Sequence, residues 1–413
     1  MGTGARIMFH AHPAGQFPSW EKARRCPPSS IIDTIELAGL HGKGGAGFPM
    51  HRKLRRVNGN AAPRKVVVVN GSEHEPGSLK DRYLLSTYPE IVLEGALIAA
   101  HAAGAKHIIV AINGTAQEAL DSFGGRVEQC RRLLAGMQVD VVPVPDAYIV
   151  GEETALLEVL EGRQPLPRKR PPLPVESGYL GMPTVIQNVE TVAHLPFIIT
   201  QGAPVYAEAG VTLCSLGSEF ACPGVHEVRL GTPLGEILYD RGGGLSDGSP
   251  IKAVQTGGPS SGFLGPRNFD VAFDAPSLAA HGASLGCAAI RAYSQSECMV
   301  RVMAGIVNFF ARESCGQCPQ CRMETQMLDA IFKQVLDGKG SWQLLDRTAD
   351  IFRMVEESGQ CGFIRMPKDP VMTGIALFKE EFSRFIDLNL SRPMDGRNGD
   401  SHGKTGATQS LAD

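Results

Sequence analysis

The sequence has little of several features that would place it in a special class of protein. Its 413 residues carry a formal net charge of only −3, so the composition gives no indication of a nucleic-acid partner. No charge-free apolar run reaches the roughly 18 residues that a membrane-spanning helix needs. The N-terminal residues also lack the apolar core of a signal peptide. We therefore predict a cytoplasmic protein with no segment inserted into a membrane.

Cysteine is also scarce. Ten cysteines in 413 residues are too few for a disulfide scaffold, and a reducing compartment suits them better. The chain is 43% hydrophobic and 20% charged, as is typical of globular proteins, and it is long enough for two to four domains. Any indication of a specific function must therefore come from local sequence patterns.

Segments of strand and helix character alternate in the first half of the chain. The apolar run 66–69 consists of four valines and predicts a strand of a parallel sheet that is covered on both faces. Further strands are predicted at 107–112 and 139–144, with helices at about 84–103 and 116–134. An earlier helix is predicted to begin at Ser30, with Asp33 completing a capping box. This order predicts an α/β fold with a doubly wound sheet.

The second half changes character twice. Segments 211–216 and 224–230 predict paired strands of a small α+β unit, whereas the chain from about 297 onward has helical periodicity. We predict the following parts: an irregular N-terminal lead (1–29), a Rossmann-like α/β domain (30–204), a small α+β domain (205–290), a helical domain (291–390) and a disordered tail (391–413).

Four cysteines form a pattern typical of metal ligands. Cys315, Cys318 and Cys321 are spaced C-x2-C-x2-C, and Cys361 follows behind two predicted helices. Three thiolates on one tight loop and a distant fourth suit the irons of a [4Fe-4S] cubane. Structural zinc more often shows two separated pairs of ligands, and buried core thiols need no such spacing. The pattern therefore favours the cluster over these two alternatives.

A glycine-rich loop at 42–47 allows a phosphate or a flat ring to approach the backbone closely. Lys53 follows it, and polar residues follow two predicted strands, at 70–77 and 148–154. The carboxyl ends of parallel strands are where doubly wound folds bind ligands. A structural turn and a solvated rim of charges are the alternatives. The residues alone thus predict a cofactor pocket without naming the cofactor.

Five ordered segments resemble the NADH-binding flavoprotein subunit of respiratory complex I and the similar subunits of NAD-linked hydrogenases and formate dehydrogenases. The segments are 42–49, 70–82, 148–158, 181–191 and 313–322. The resemblance covers about residues 30–386. It implies an FMN-binding domain, a β-grasp-like unit that corresponds to the small α+β domain, and a helical bundle with the [4Fe-4S] cluster. It also implies a small [2Fe-2S] or other iron–sulfur protein as partner.

The resemblance implies two groups of cofactor-contacting residues. Those expected at FMN are Gly42, Gly44, Gly45, Lys53, Asn70, Glu73, Gly151, Glu152, Gln187 and Asn188. Those expected at the nicotinamide nucleotide, NAD(H) or NADP(H), are Phe48, Glu75, Glu153 and Arg170. The cofactors would carry the chemistry, so no catalytic side chain is expected.

The sequence departs from the family in the region of the nucleotide. The family usually has Asp at Ser72, Asn at Gln187, and an aromatic residue at both Leu173 and Arg56. We therefore expect weakened use of NADH or a shift towards NADPH. The leading hypothesis is an NAD(P)H dehydrogenase subunit that passes electrons from FMN through the cluster. The alternative is an electron-transfer subunit that keeps both cofactors but uses protein donors and acceptors.

Overall fold

The computed structural model describes residues 8–9, 16–134, 136–356 and 358–390. It shows a parallel sheet flanked by helices, a second, mixed sheet, and a helical C-terminal region. The tail that we predicted at 391–413 lies outside the described residues.

A four-stranded parallel sheet forms the centre of the first half. Its strands are β1 (Val66–Gly71), β2 (His107–Asn113), β3 (Gln138–Val144) and β4 (Thr184–Asn188), in the spatial order β3-β2-β1-β4. Val67 and Val69 enter one hydrophobic core, whereas Val66 and Val68 enter another on the opposite face. Both faces are therefore covered, which confirms the prediction from the four valines.

Ten helices accompany this sheet in the described part of the first half. They are α1 (Pro18–Ala23), α2 (Pro28–Leu37), α3 (Met50–Asn58), α4 (Lys80–Thr87), α5 (Pro89–Ala103), α6 (Gln117–Gln129), α7 (Glu153–Leu160), α8 (Val189–Ala193), α9 (Leu195–Gln201) and α10 (Ala203–Ala209). Short 3₁₀ turns occupy Arg131–Leu133, Tyr148–Gly151 and Tyr179–Gly181. Nearly all of α5 is buried, as suits a helix rich in alanine, leucine and isoleucine.

Several sequence predictions for this half are wrong in detail. The capping box at Ser30 does not form, because Pro28 begins α2 at a position that proline favours, and Ser30 lies inside the helix. The helix predicted at 84–103 is two helices, since Pro89 begins a new one after Tyr88. Helix α1 lies within the lead that we expected to be irregular. Strand β4 went unpredicted because it is only five residues long.

The second sheet has five strands in the order β6-β5-β9-β7-β8. They are β5 (Val211–Leu216), β6 (Gly224–Arg229), β7 (Ile251–Gln255), β8 (Phe263–Leu264) and β9 (Ala289–Ser294), with the short helix α11 (Ala275–Ala279), a π-helical turn (Glu236–Arg241) and a 3₁₀ turn (Pro266–Asn268). Strands β5 and β6 are antiparallel, which confirms the predicted pairing. The central strand β9 lies across position 290, where we predicted a domain boundary.

The C-terminal region is helical, as predicted. Its helices are α12 (Met299–Glu313), α13 (Pro319–Leu336), α14 (Trp342–Val355), α15 (Lys368–Leu377) and α16 (Lys379–Leu390), with a 3₁₀ turn at Gly362–Arg365. The apolar side chains of α13, among them Leu328, Ile331 and Phe332, are buried in a core that these helices share. Within the described ranges, no helix is long and apolar enough to cross a membrane.

Candidate functional site

The carboxyl ends of the parallel strands open into two adjoining cavities. The larger has a volume of about 600 Å³, and the smaller about 200 Å³. Their shared wall consists of Gly44, Asn70, Gly151, Glu152, Asn188 and Gly362. The glycine loop, the loop after β1, the loop after β3 and the end of β4 therefore meet at one edge of the sheet, as the strand order requires.

The predicted FMN residues come together here with one exception. Those that line a cavity are Gly42, Gly44, Lys53, Asn70, Glu73, Gly151, Glu152, Gln187 and Asn188. Gly45 lies in the same loop but does not line either cavity. The predicted nucleotide residues divide between the two cavities: Phe48, Glu153 and Arg170 line the larger, and Glu75 lines the smaller.

Gly44 packs closely against Asn188. A Cβ atom at Gly44 would lie 3.1 Å from Cβ of Asn188, so a larger residue would force the glycine loop away from β4. The Asn188 side chain in turn accepts a hydrogen bond from the Glu190 amide at 2.9 Å and so caps α8. The contact leaves a narrow wall of backbone and amide groups, which suits a flat ring.

Asn70 connects the loops that follow β1 and β3. Its Nδ2 donates to the Gly151 carbonyl at 3.1 Å, and its Oδ1 accepts from the Ser72 hydroxyl at 2.6 Å. Ser72, which stands where the family usually has Asp, thus serves as a hydrogen-bond donor to Asn70. Ser72 therefore helps to order the loop after β1 and places a neutral side chain at the smaller cavity.

Glu152 combines two roles at the shared wall. Its Oε2 accepts from the backbone amides of Thr154 and Ala155, both at 2.9 Å, and so caps α7. Its Oε1 lies 2.5 Å from the guanidinium of Arg170, which also reaches Glu153 at 3.1 Å. Arg170 therefore bridges two neighbouring carboxylates at the cavity.

Lys53 is ion-paired in this structure. We expected its ammonium to offset phosphate charge, but it lies 2.6 Å from Glu153 and also donates to the Ile186 carbonyl at 3.2 Å. The same ammonium lies 5.8 Å from the ring centre of Phe48, within the range of a cation–π contact. An anion that binds at Lys53 would therefore compete with Glu153.

Glu73 lines the smaller cavity, but its carboxylate is engaged in hydrogen bonds that stabilise the loop after β1. Its carboxylate accepts from the amides of Asp81 at 2.8 Å and Arg82 at 2.9 Å, at the start of α4. The residue has a φ of 37°, a conformation that costs energy outside glycine and persists where its surroundings hold it in place. The cap explains why Glu73 belongs to the site without requiring direct contact with a ligand.

Glu75 is a buried carboxylate of the smaller cavity with a raised pKa. Burial raises its pKa to about 7, although the Tyr148 hydroxyl at 2.6 Å and the nearby Ser260 amide favour the charged form. Among the described residues, its Oε1 has no partner in good hydrogen-bond geometry. Gly258 packs against it with a φ of +78°, and a Cβ there would collide with the carboxylate. Burial beside the cavity therefore favours the protonated form of Glu75 more than exposure to solvent would.

A buried cluster of charges beneath the cavity was not predicted as a site. The Lys80 ammonium lies 2.7 Å from Asp81 and 3.1 Å from Glu190, and all three side chains are almost inaccessible to solvent. Burial alone would raise the pKa of Glu190, but Lys80 and His194 lower it overall. The sequence signals were two family-matched segments: 70–82, which contains Lys80 and Asp81, and 181–191, which contains Glu190 more than 100 residues further along the chain.

The rim of the larger cavity contains both positions where an aromatic residue was expected. Arg56 forms an ion pair with Glu176, and the other oxygen of Glu176 accepts from the Leu173 amide at 3.0 Å. Both Arg56 and Leu173 line the cavity. The pair therefore places an arginine beside an aliphatic side chain at this rim.

The four predicted cluster ligands line one small pocket. Cys315, Cys318 and Cys321 come from the loop and first turn between α12 and α13, and Cys361 comes from the turn after α14. Burial raises the pKa of Cys321 and of Cys361 to about 11, so bound iron would be needed to keep these thiols deprotonated. Within the described ranges, no three His, Cys, Asp or Glu side chains are arranged to hold a single metal ion.

The cysteine pocket adjoins the smaller cavity. Ile149, Cys361 and Phe363 line both. Tyr148 also joins the two regions, because its hydroxyl bonds Glu75 while its ring packs edge-on against Phe309 and Phe363. A group in the cavity and a cluster in the pocket would therefore share a wall made of these side chains.

The edge of the sheet thus holds a cavity lined by backbone, amide and helix-capping carboxylate groups, and four cysteines line the pocket beside it. This arrangement suits a flavin and an iron–sulfur cluster. Comparison with known families agrees. Residues 35–196 match the Nuo51 FMN-binding domain, and residues 301–385 match the NADH-ubiquinone oxidoreductase-F iron-sulfur binding region. The second match sets aside the zinc and core-thiol alternatives for this region.

Curated relatives match along most of the chain. The F subunit of the NADH-quinone oxidoreductase of Mycobacterium tuberculosis is 35% identical over 391 residues, which cover 90% of this chain and 88% of the relative. The HndC subunit of the NADP-reducing hydrogenase of Solidesulfovibrio fructosivorans is 33% identical, with 87% and 76% covered. The chain thus belongs to the family of NADH-quinone oxidoreductase F subunits.

A solved structure supports the same conclusion. The NAD+-reducing [NiFe]-hydrogenase in its H2-reduced state matches with a TM-score of 0.84 and 30% identity, over 93% of this chain and 66% of the hydrogenase chain. Together these results confirm the predicted function: the chain is an NADH-linked oxidoreductase subunit that binds FMN and a [4Fe-4S] cluster and transfers electrons.

Proposed function

We propose that NADH or NADPH binds in the larger cavity against FMN and that electrons leave through a cluster held by Cys315, Cys318, Cys321 and Cys361. The observation that carries this proposal is the wall that the cysteine pocket shares with the smaller cavity. FMN exchanges a hydride with the nucleotide and single electrons with the cluster, and this chemistry belongs to the cofactors.

The residues present fit an isoalloxazine ring and a phosphate. Gly44 packs directly against Asn188, so the wall that both cavities share presents backbone and amide groups at this point and no bulky side chain. The buried Nε2 of Gln187 has no hydrogen-bond partner among the described residues, so it is available to a ring oxygen or nitrogen. Lys53 would bind the phosphate after it separates from Glu153.

The nucleotide would be positioned by the remaining residues of the larger cavity. Phe48 is 44% exposed, so its ring is available to stack against a flat group. Glu153, once released from Lys53, would accept hydrogen bonds from ribose hydroxyls. Arg56 and Leu173 would enclose the adenine in place of two aromatic rings. We expect weaker NADH binding than two aromatic residues would give, and arginines that tolerate a 2′-phosphate.

We also propose a role for each part of the fold and a class of partner protein. We infer that the second sheet is the β-grasp-like unit and that the C-terminal helices form the cluster bundle. FMN and one cubane are the redox groups proposed for this chain, and a protein with its own iron–sulfur centre, such as a small [2Fe-2S] protein, would take the electrons from them. Cysteines that ligate a cluster suit the cytoplasm, where we expect the protein to act.

The test is cofactor analysis followed by an activity assay. Protein purified anaerobically should contain non-covalent FMN, released by acid and identified by chromatography, with about four irons and four sulfides per chain. It should then oxidise NADH or NADPH with ferricyanide as acceptor. Bound FAD, or stoichiometric zinc without iron, would contradict the proposal.

A further inference from the structure

The smaller cavity has a strongly unbalanced lining. Four residues with carboxylate side chains line it: Glu73, Glu75, Asp81 and Glu152. In the part of the chain that the structure describes, Lys80 is the one lysine or arginine that lines it. Its side chain is only 1% exposed. A single buried cation therefore stands at the wall of a cavity that otherwise presents negative or neutral groups.

Lys80 is held in place from three directions. Its ammonium donates to Asp81 at 2.7 Å and to Asn188 at 3.1 Å, and it lies 3.1 Å from Glu190. It is also the first residue of α4, where the helix dipole disfavours a cation. A buried lysine at a helix N-terminus is costly, and the carboxylates that surround it keep it charged. Nothing in the proposed binding roles yet accounts for it.

We propose that Lys80 is a positioning residue that fixes Asn188 at the cavity and whose charge raises the reduction potential of the bound flavin. This inference rests on the proposed function, namely that FMN binds at the wall that the two cavities share. Reduction by a hydride adds negative charge to the ring system. A cation at the wall of a buried cavity stabilises that charge more than it would in water, whereas the four carboxylates oppose it.

The variant that removes the charge is Lys80→Met, which keeps much of the side-chain length. We expect the equilibrium between oxidised and reduced flavin to shift about tenfold towards the oxidised form, which is a fall of about 30 mV for a two-electron couple. The measurement is an anaerobic spectroelectrochemical titration of the flavin absorption band. Lys80→Arg, which keeps the charge, should restore most of the potential.

Lys43→Met is the matched control. Lys43 is also partly buried and interacts with Glu190, but it lines neither cavity. If position matters, this variant should shift the potential by less than half as much as Lys80→Met. An equal shift in both variants would contradict the proposal, because it would show that only the total charge of the cluster counts.

A second variant guards against misfolding. Lys80→Met/Glu190→Gln removes one charge of each sign, so of the two carboxylates paired with Lys80 only Asp81 loses its partner. It should still lower the potential, since Glu190 does not line the cavity. If a Lys80 variant binds FMN but the flavin potential is unchanged, this inference is overturned and the proposed function is not. Absence of FMN from the wild-type protein would overturn the proposed function as well.

Discussion

The flavin side and the cluster side of this molecule are built in different ways. At the edge of the parallel sheet, Glu152 and Asn188 each cap a helix and also face a cavity, so the groups that would hold FMN are fixed by backbone amides. In the helical region, by contrast, Glu324 is fully buried and neither carboxylate oxygen has a hydrogen-bond partner among the described residues. Burial raises its pKa to about 8.

The difference shows what each cofactor requires. An organic cofactor with a phosphate and ring edges needs many polar groups at fixed positions, and only long-range contacts supply them. A cluster needs four thiolates and an apolar surrounding, which one loop and one later turn provide. We therefore expect changes on the cluster side to remove the cofactor altogether and changes on the flavin side to weaken it by degrees.

The largest effect should come from the cysteine that completes the pocket. Cys361→Ala should abolish the intact four-iron cluster, because three thiolates leave one iron without a protein ligand. Iron analysis and the EPR spectrum of the reduced protein measure this. Cys222→Ala, at an exposed cysteine far along the chain from the motif, should keep the full iron content. A normal cluster in Cys361→Ala would show that another group serves as the fourth ligand.

A smaller, graded effect should follow from removing the cap at the shared wall. Glu152→Ala should destabilise the protein by about 1 kcal/mol through the lost cap of α7. It also frees Arg170 from one of its two carboxylates, and we expect FMN to bind about tenfold more weakly, or about 1.4 kcal/mol. Fluorescence titration of apo-protein with FMN gives the affinity. Glu158→Ala, in the same helix but outside both cavities, should leave FMN affinity unchanged.

A substitution at the nucleotide end of the larger cavity should strengthen binding instead of weakening it. Leu173→Phe adds an aromatic face at the rim and should strengthen NADH binding by roughly 0.5–1.5 kcal/mol beyond area burial, up to about tenfold. The KM for NADH in the ferricyanide assay measures it. Leu133→Phe, at an exposed leucine outside the cavities, is the control. If Leu173→Phe has no effect, the aromatic residues expected there are not needed for nucleotide binding.

The smallest expected effect is on protein stability, and it comes from Glu324, the buried carboxylate of the helical region. Because the pKa of Glu324 rises from 4.5 unfolded to about 8 folded, the folded state binds the extra proton between those values. Stability should therefore fall as pH rises through this window. Glu324→Leu should raise the thermal midpoint by a few degrees at pH 9 and by less at pH 6. An equal gain at both pH values would indicate that packing, and not charge, causes the change.

The cluster side and the flavin side also differ in how far their residues could be predicted from the sequence. The cluster ligands could be proposed from spacing alone, because three of the four lie within seven residues. The flavin residues needed the family resemblance, since Asn70, Glu152 and Asn188 meet only through β1, β3 and β4. Lys80 with Asp81 and Glu190 could not be predicted, because lysine and carboxylates are ordinarily exposed and their burial is a tertiary property. The pairing of Lys53 with Glu153 is tertiary in the same way.

The central claim is that a nucleotide in the larger cavity delivers electrons that reach the cluster through FMN. Anaerobic stopped-flow mixing with NADH, and separately with NADPH, tests it most directly when the flavin absorbance and the freeze-quenched EPR signal of the cluster are followed together. We expect the flavin band to bleach first and the cluster signal to follow, with Cys361→Ala showing only the bleaching. No bleaching by either nucleotide would contradict the account and favour a subunit that receives its electrons from another protein.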